Sequence, residues 1–121
     1  MNLNLNKNEM LAVEIGEADF GLEVLESERP VLVAFLAPWS RPCQIFRPVL
    51  DEVAAACAES VKVVKIIADE CDLNPGLSVD YEIRSLPTRL YFVGGKECAR
   101  FIGTASTEVI LAELKSLPGI L

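Results

Sequence analysis

The chain of 121 residues predicts an α/β fold, with a central mixed sheet of about five strands flanked by four helices. Strand-like and helix-like hydropathy patterns alternate from end to end, without a repeat, a low-complexity tract or an internal linker, which is the order of a layered α/β architecture. The run Val31-Leu32-Val33-Ala34-Phe35-Leu36 is apolar throughout and rich in β-branched and bulky residues, the pattern of a central strand covered on both faces. With 51% hydrophobic residues the chain can fill one core, and a domain of this size buries roughly two-thirds of its unfolded surface. One domain over residues 11–121 is expected, preceded by a flexible segment, the Asn-rich residues 1–10.

Each element has its own signal. Leu11 to Ile15 reads as a short strand, and Phe20, Val24 and Leu25 give the next segment an apolar helical face that Arg29-Pro30 ends. After the central strand, Cys43, Phe46, Leu50, Val53 and Cys57 recur at spacings of three and four, so a helix from about Pro42 to Ser60 turns all five inward. Pro42 suits its first turn; Pro48 falls inside it, removes a backbone donor and should kink it. Val61 to Ile67 supplies another buried strand. Asn74-Pro75 pairs a capping residue with a first helical proline, opening a short helix near Leu77 to Tyr81. Thr88 to Val93, the Gly94-Gly95 turn and Lys96 to Ile102 read as an antiparallel hairpin. Ser106 or Thr107 caps a last helix whose Ile110, Leu114 and Leu117 can dock on the sheet.

Composition excludes several classes of function. A net charge of -7 leaves no basic face for a phosphate backbone, so nucleic acid is not an expected partner, and the same acidity disfavours anionic membranes. No apolar run in the first residues has the length of a signal peptide or anchor, which makes the cytoplasm the expected location. The four cysteines, Cys43, Cys57, Cys71 and Cys98, are too far apart for a metal knuckle, and with no histidine to complete a zinc site no metal or other cofactor is expected. The absence of histidine also removes the usual base for a serine or cysteine nucleophile.

The motif that carries chemistry is Ala37-Pro38-Trp39-Ser40-Arg41-Pro42-Cys43, directly after the central strand. Together with Pro30 to Phe35, with Pro48-Val49-Leu50-Asp51-Glu52 inside the long helix, with Tyr81-Glu82-Ile83-Arg84-Ser85-Leu86-Pro87-Thr88 and with Gly103, it resembles the thioredoxin family from about Leu11 onward. The resemblance implies a thioredoxin fold, with a parallel half, an antiparallel hairpin and a terminal helix. It implies a cis bond at Leu86-Pro87 and places Gly103 near the substrate surface. It also places Ser40 at the position of the nucleophilic cysteine and Cys43 at that of the resolving one. Ala34 stands where many members keep a buried aspartate, Leu36 where a tryptophan is common, and Lys65 matches a lysine that pairs with that aspartate. Two coincident departures favour natural divergence over a single introduced substitution.

Dithiol turnover needs one exposed thiolate to attack a disulfide and a second thiol to resolve the mixed disulfide. Ser40 cannot replace the attacking group without a strong adjacent base; it can cap the following helix or donate to a thiolate at Cys43. Cys43 is open to two readings, a reactive thiol favoured by the helix N-terminus and an inert core residue. Arg41 adds a nearby charge, and Lys65 either approaches Cys43 uncompensated or extends its amine to water. Trp39 either contacts a ligand or packs over the loop. Cys57 and Cys98 read as buried structural fillers, and Cys71 as an ordinary acidic-loop cysteine, with a regulatory bridge to Cys43 as a minor option.

The expected function is a polypeptide-binding or adaptor module of thiol redox homeostasis. Its groove is formed by Trp39, Ser40, Arg41, Pro42, Leu86, Pro87, Thr88 and Gly103, with at most single-thiol exchange at Cys43. The alternative is a thiol-disulfide oxidoreductase that uses Cys43 alone, with glutathione or another small thiol completing the cycle. The partner is a polypeptide or protein thiol; a monomer is expected, with the apolar patch at Trp39 allowing a weak dimer.

Overall fold

The computed structural model describes residues 11–57, 59–67 and 75–118. Five strands, β1 (Val13–Glu14), β2 (Val31–Leu36), β3 (Lys62–Ile67), β4 (Thr88–Val93) and β5 (Lys96–Ile102), form one sheet in the order β1-β3-β2-β4-β5. The first three are parallel neighbours, β4 runs antiparallel to β2, and β5 runs antiparallel to β4. Four helices flank the sheet. They are α1 (Glu17–Phe20, continued by a π-helical turn over Gly21–Leu25), α2 (Arg41–Ala56), α3 (Pro75–Asp80) and α4 (Thr107–Lys115).

The alternation of side chains along β2 sorts the core into two halves. Leu32, Ala34 and Leu36 pack with Cys43, Phe46, Leu50 and Val53 of α2, with Ile110 and Leu114 of α4 and with Leu117. Val31, Val33 and Phe35 turn the other way, against Phe20, Val24 and Leu77 from α1 and its extension and from α3. Both faces of β2 are covered, and all six of its residues are buried. On the second face Phe20, Tyr81 and Phe92 form a ring cluster with centroids 5.4 to 5.8 Å apart.

Several boundaries differ from the sequence reading. β1 shrinks to two residues, Val13 and Glu14, which lie in register with Val64 and Lys65 of β3, and the Ile15 N–H makes the last bond across, to the Lys65 carbonyl. Leu25 is 40% exposed: the wider π turn rotates it away from the face that Phe20 and Val24 share. α2 ends at Ala56 with Pro48 inside it, and Cys57 is a half-buried C-cap whose backbone N–H and thiol both donate to the Val53 carbonyl. Cys98 is exposed, not a core filler. The pairing slips between Tyr91↔Ala99 and Phe92↔Glu97, so Cys98 is the extra residue of a β-bulge on an edge strand, turned out to solvent. The expected N-terminal segment, Cys71 with its loop, and the Asn74 cap lie outside the described residues.

The hairpin and the last helix form as their local chemistry dictates. Gly94 and Gly95 have φ of 60° and 80°, the positive values a two-residue turn requires, and a Cβ on Gly95 would come within 2.6 Å of the Leu25 carbonyl oxygen. Ser106 caps α4 by accepting the Val109 N–H at 3.2 Å. Ile110, Leu114 and Leu117 are all buried on the sheet.

Candidate functional site

The site lies where β2 hands over to α2. Ser40, in extended conformation, accepts the Cys43 N–H on its Oγ at 3.4 Å, while its carbonyl accepts the Gln44 N–H, so it is the N-cap of α2. The Ser40 N–H donates to the Ala37 carbonyl, and the Gln44 side chain donates to the Pro38 carbonyl at 2.8 Å, closing the loop on itself. Cys43, one turn in, is wholly buried, and its Sγ accepts the Ala37 N–H at 3.3 Å. Trp39 stands out from this loop at 54% exposure, and Arg41 and Pro42 are also exposed.

Opposite the loop, the Leu86-Pro87 peptide bond is cis. Leu86 is partly buried against both halves of the core, and Pro87 is buried. Thr88 is only 2% exposed, and its hydroxyl donates to the Ser85 carbonyl at 2.7 Å, so its side chain holds the turn below the surface. Gly103, at φ of 98°, donates its N–H to the Pro87 carbonyl at 2.9 Å, which ties the end of β5 to the proline turn.

The composition of this face departs from an ordinary apolar core. Ala34 is flanked in register by Lys65 of β3 and Arg89 of β4, and Arg89 is followed by Phe101 of β5. Lys65 is half-buried. Arg89 is only 4% exposed, yet fully partnered. Its Nε and Nη2 donate to the two Glu113 carboxylate oxygens at 3.0 and 2.7 Å, Nη1 donates to the Gly103 carbonyl at 2.9 Å, and the guanidinium lies 4.8 Å from the Phe101 ring centre. The Tyr91 hydroxyl donates to the same carboxylate. Burial pushes the Glu113 carboxyl up, but the hydrogen bonds from Arg89 and Tyr91 and the Arg89 charge outweigh it and hold it below its ordinary range. Burial raises Tyr91, and the Glu113 carboxylate raises it further.

Sequence reasoning missed Arg89, Tyr91 and Glu113. The available signal was Arg89 itself, a charge inside the strand Thr88 to Val93 and directly before its apolar run Leu90 to Val93, which demands a buried anionic partner. Nothing local names Glu113, 24 residues away.

Among the described residues, no group of three or more histidine, cysteine, aspartate or glutamate residues could hold a metal ion, and no helix is long and apolar enough to cross a membrane. Cys43, Cys57 and Cys98 are free thiols. Burial pushes the Cys57 thiol up.

Comparison with known proteins agrees with this architecture. The chain is 44% identical over 93 residues to Thioredoxin 1 of Synechococcus elongatus, covering 77% of this chain and 84% of that protein. It is 39% identical over 102 residues to the thioredoxin of Synechocystis sp., covering 84% and 92%. It is also 42% identical over 97 residues to the M-type chloroplastic thioredoxin of Chlamydomonas reinhardtii, covering 80% and 67%. The family model for thioredoxin matches residues 11–116, which takes in every strand and helix described above, and the chain belongs to the thioredoxin family.

Proposed function

We propose that this thioredoxin-family redox protein has given up dithiol turnover and acts as a polypeptide-binding or adaptor module. The observation that carries this reading is the contrast within one loop. Its only sulfur, on Cys43, is wholly buried and hydrogen-bonded to Ala37, whereas Trp39 is more than half exposed. A nucleophile must reach a disulfide in line, and a thiol beneath the helix cap does not. Ser40, at the more accessible position, has its Oγ engaged as that cap and no histidine to activate it.

The ligand is an extended protein segment lying between Trp39 and the Leu86-Pro87 turn. Trp39, Arg41 and Pro42 supply its contacts on one side, and Leu86 and Gly103 on the other. Among the described residues the Leu86 backbone makes no hydrogen bond, so its N–H and carbonyl are available to pair with a bound chain. Pro87 and Thr88 shape this edge from below. We place the protein in a reducing cytoplasm as a monomer, with Cys43, Cys57 and Cys98 as thiols.

The second reading, single-thiol exchange, is favoured by the Ala37 N–H aimed at Cys43 Sγ, a contact that would also hold a thiolate. In that cycle the Cys43 thiolate forms a mixed disulfide with one half of a substrate disulfide and expels the other half as a thiolate. Glutathione thiolate then attacks the substrate sulfur of the mixed disulfide, forming substrate-glutathione disulfide and freeing Cys43.

Site-resolved alkylation against pH, read by mass spectrometry, separates the two. Labelling of Cys43 only on unfolding supports the binding module; rapid native labelling with thiolate behaviour near neutral pH supports exchange. Binding is measured with the carboxymethylated B chain of insulin, an extended polypeptide that has no thiol. Binding that survives Cys43→Ser supports the module, and absence of binding in the unmodified protein rejects it.

A further inference from the structure

We infer that Arg89 and Glu113 are positioning residues for the polypeptide groove: the buried guanidinium, anchored by the α4 carboxylate, fixes Gly103 opposite the Leu86-Pro87 turn. This inference rests on the groove reading above. The geometry that supports it is specific. Gly103 is held at both ends of its peptide units, its N–H by the Pro87 carbonyl and its carbonyl by Arg89 Nη1, each at 2.9 Å. Its φ of 98° lies where L side chains are rarely found, so the conformation depends on these bonds and on the absence of a Cβ.

Packing alone does not account for the pair. Arg89 and Glu113 sit on the face where Ala34, Leu36, Ile110 and Leu114 are apolar, and leucines at both positions would suit that environment. A buried ion pair is commonly no more stabilising than apolar residues of similar volume, because desolvation of both charges offsets their attraction. What leucine cannot supply is the fork of donors. Two of Arg89's nitrogens satisfy Glu113, and the third is left pointing at the Gly103 carbonyl. Phe101 stacks beside the guanidinium and Tyr91 donates to the carboxylate, so both members have their orientation fixed by neighbours outside the groove. The pair thereby couples α4 to the loop that follows β5, and through Gly103 to the proline turn.

The test compares the unmodified protein, R89L/E113L and R89K in binding to the carboxymethylated insulin B chain, with urea unfolding and amide exchange of Gly103 recorded on the same samples. R89L/E113L is expected to unfold at a urea concentration no lower than the unmodified protein, yet to bind the B chain about five- to tenfold more weakly and to exchange the Gly103 amide faster. R89K keeps a charge opposite Glu113 but lacks the planar fork, so its binding falls as well, and it decides the question if the double variant does not fold. Unchanged affinity and unchanged Gly103 exchange in a folded R89L/E113L, or in R89K if that is the folded variant, overturn the inference. Failure of the unmodified protein to bind overturns the groove reading on which it stands, and faster Gly103 exchange in the folded variant then still registers the Arg89 anchor.

Discussion

Ala37 donates its backbone N–H to the Sγ of Cys43 across 3.3 Å, so the residue that follows β2 and the first turn of α2 are joined by the one sulfur of the loop. Both residues are buried, so the Ala37 N–H has no contact with bulk water to take the place of the thiol. Cys43→Val, which keeps an apolar side chain but deletes the acceptor, should therefore cost about 1–3 kcal/mol, the penalty for a buried donor left unpaired. Urea unfolding checks this, and a loss below about 0.5 kcal/mol, the usual size of an inconsequential substitution, would show that the contact carries no weight.

Ser40 makes two separable predictions. As an N-cap it should contribute about 1 kcal/mol, lost in Ser40→Ala and visible as a lower unfolding midpoint. Ser40→Cys puts a thiol at a half-buried position one turn before Cys43. That variant should reduce insulin disulfides in the presence of a dithiol reductant under conditions where the unmodified protein does not. Equal activity in both would mean that Cys43 alone suffices.

Glu82 lies at φ of 53° two residues past the end of α3, where the Ile83 N–H donates back to the Ser78 carbonyl and the Glu82 N–H to that of Val79. This is a left-handed helix cap, and such a conformation costs an L residue roughly 1–2 kcal/mol that glycine avoids. Glu82→Gly should raise stability by about 1 kcal/mol, less the chain entropy that glycine adds to the unfolded state. Calorimetry settles the sign.

The Arg89, Tyr91 and Glu113 network should give stability a pH dependence at both ends. Glu113 is held below its ordinary range in the folded protein, so its contribution is present above the unfolded carboxyl pKa of about 4.3 and is lost as pH falls from there through the folded value. Tyr91 is raised, so its contribution is complete below the phenol's ordinary pKa of about 10 and is lost as pH climbs toward the folded value. Glu113→Gln should flatten the acid limb of the unfolding free energy, and Tyr91→Phe the alkaline limb. Limbs that stay as steep in the variants would assign the dependence to other groups.

Much of the architecture was legible because local periodicity and burial coincide. The three- and four-residue spacing of Cys43, Phe46, Leu50 and Val53 is the spacing of one helical face, and all four are buried. The unbroken apolar run of β2 could lie only where both faces are covered. Ser40, Ser106 and the Gly94-Gly95 turn likewise act within a few residues of themselves. Leu25 was misread because a π turn breaks the helical period, and Cys98 because a bulge breaks the period of two; neither irregularity has a residue signature here.

The sequence by itself determined the order of strands and helices, the face each presents and the absence of a second cysteine from the loop, because these depend on neighbours a few positions apart. Only the tertiary structure decided that the remaining Cys43 thiol is closed off by Ala37 and that Arg89 spans from Glu113 to Gly103. Those contacts join segments whose approach is set by helix packing on the twisted sheet, and a hydropathy pattern specifies which face is buried but not which polar atom it meets.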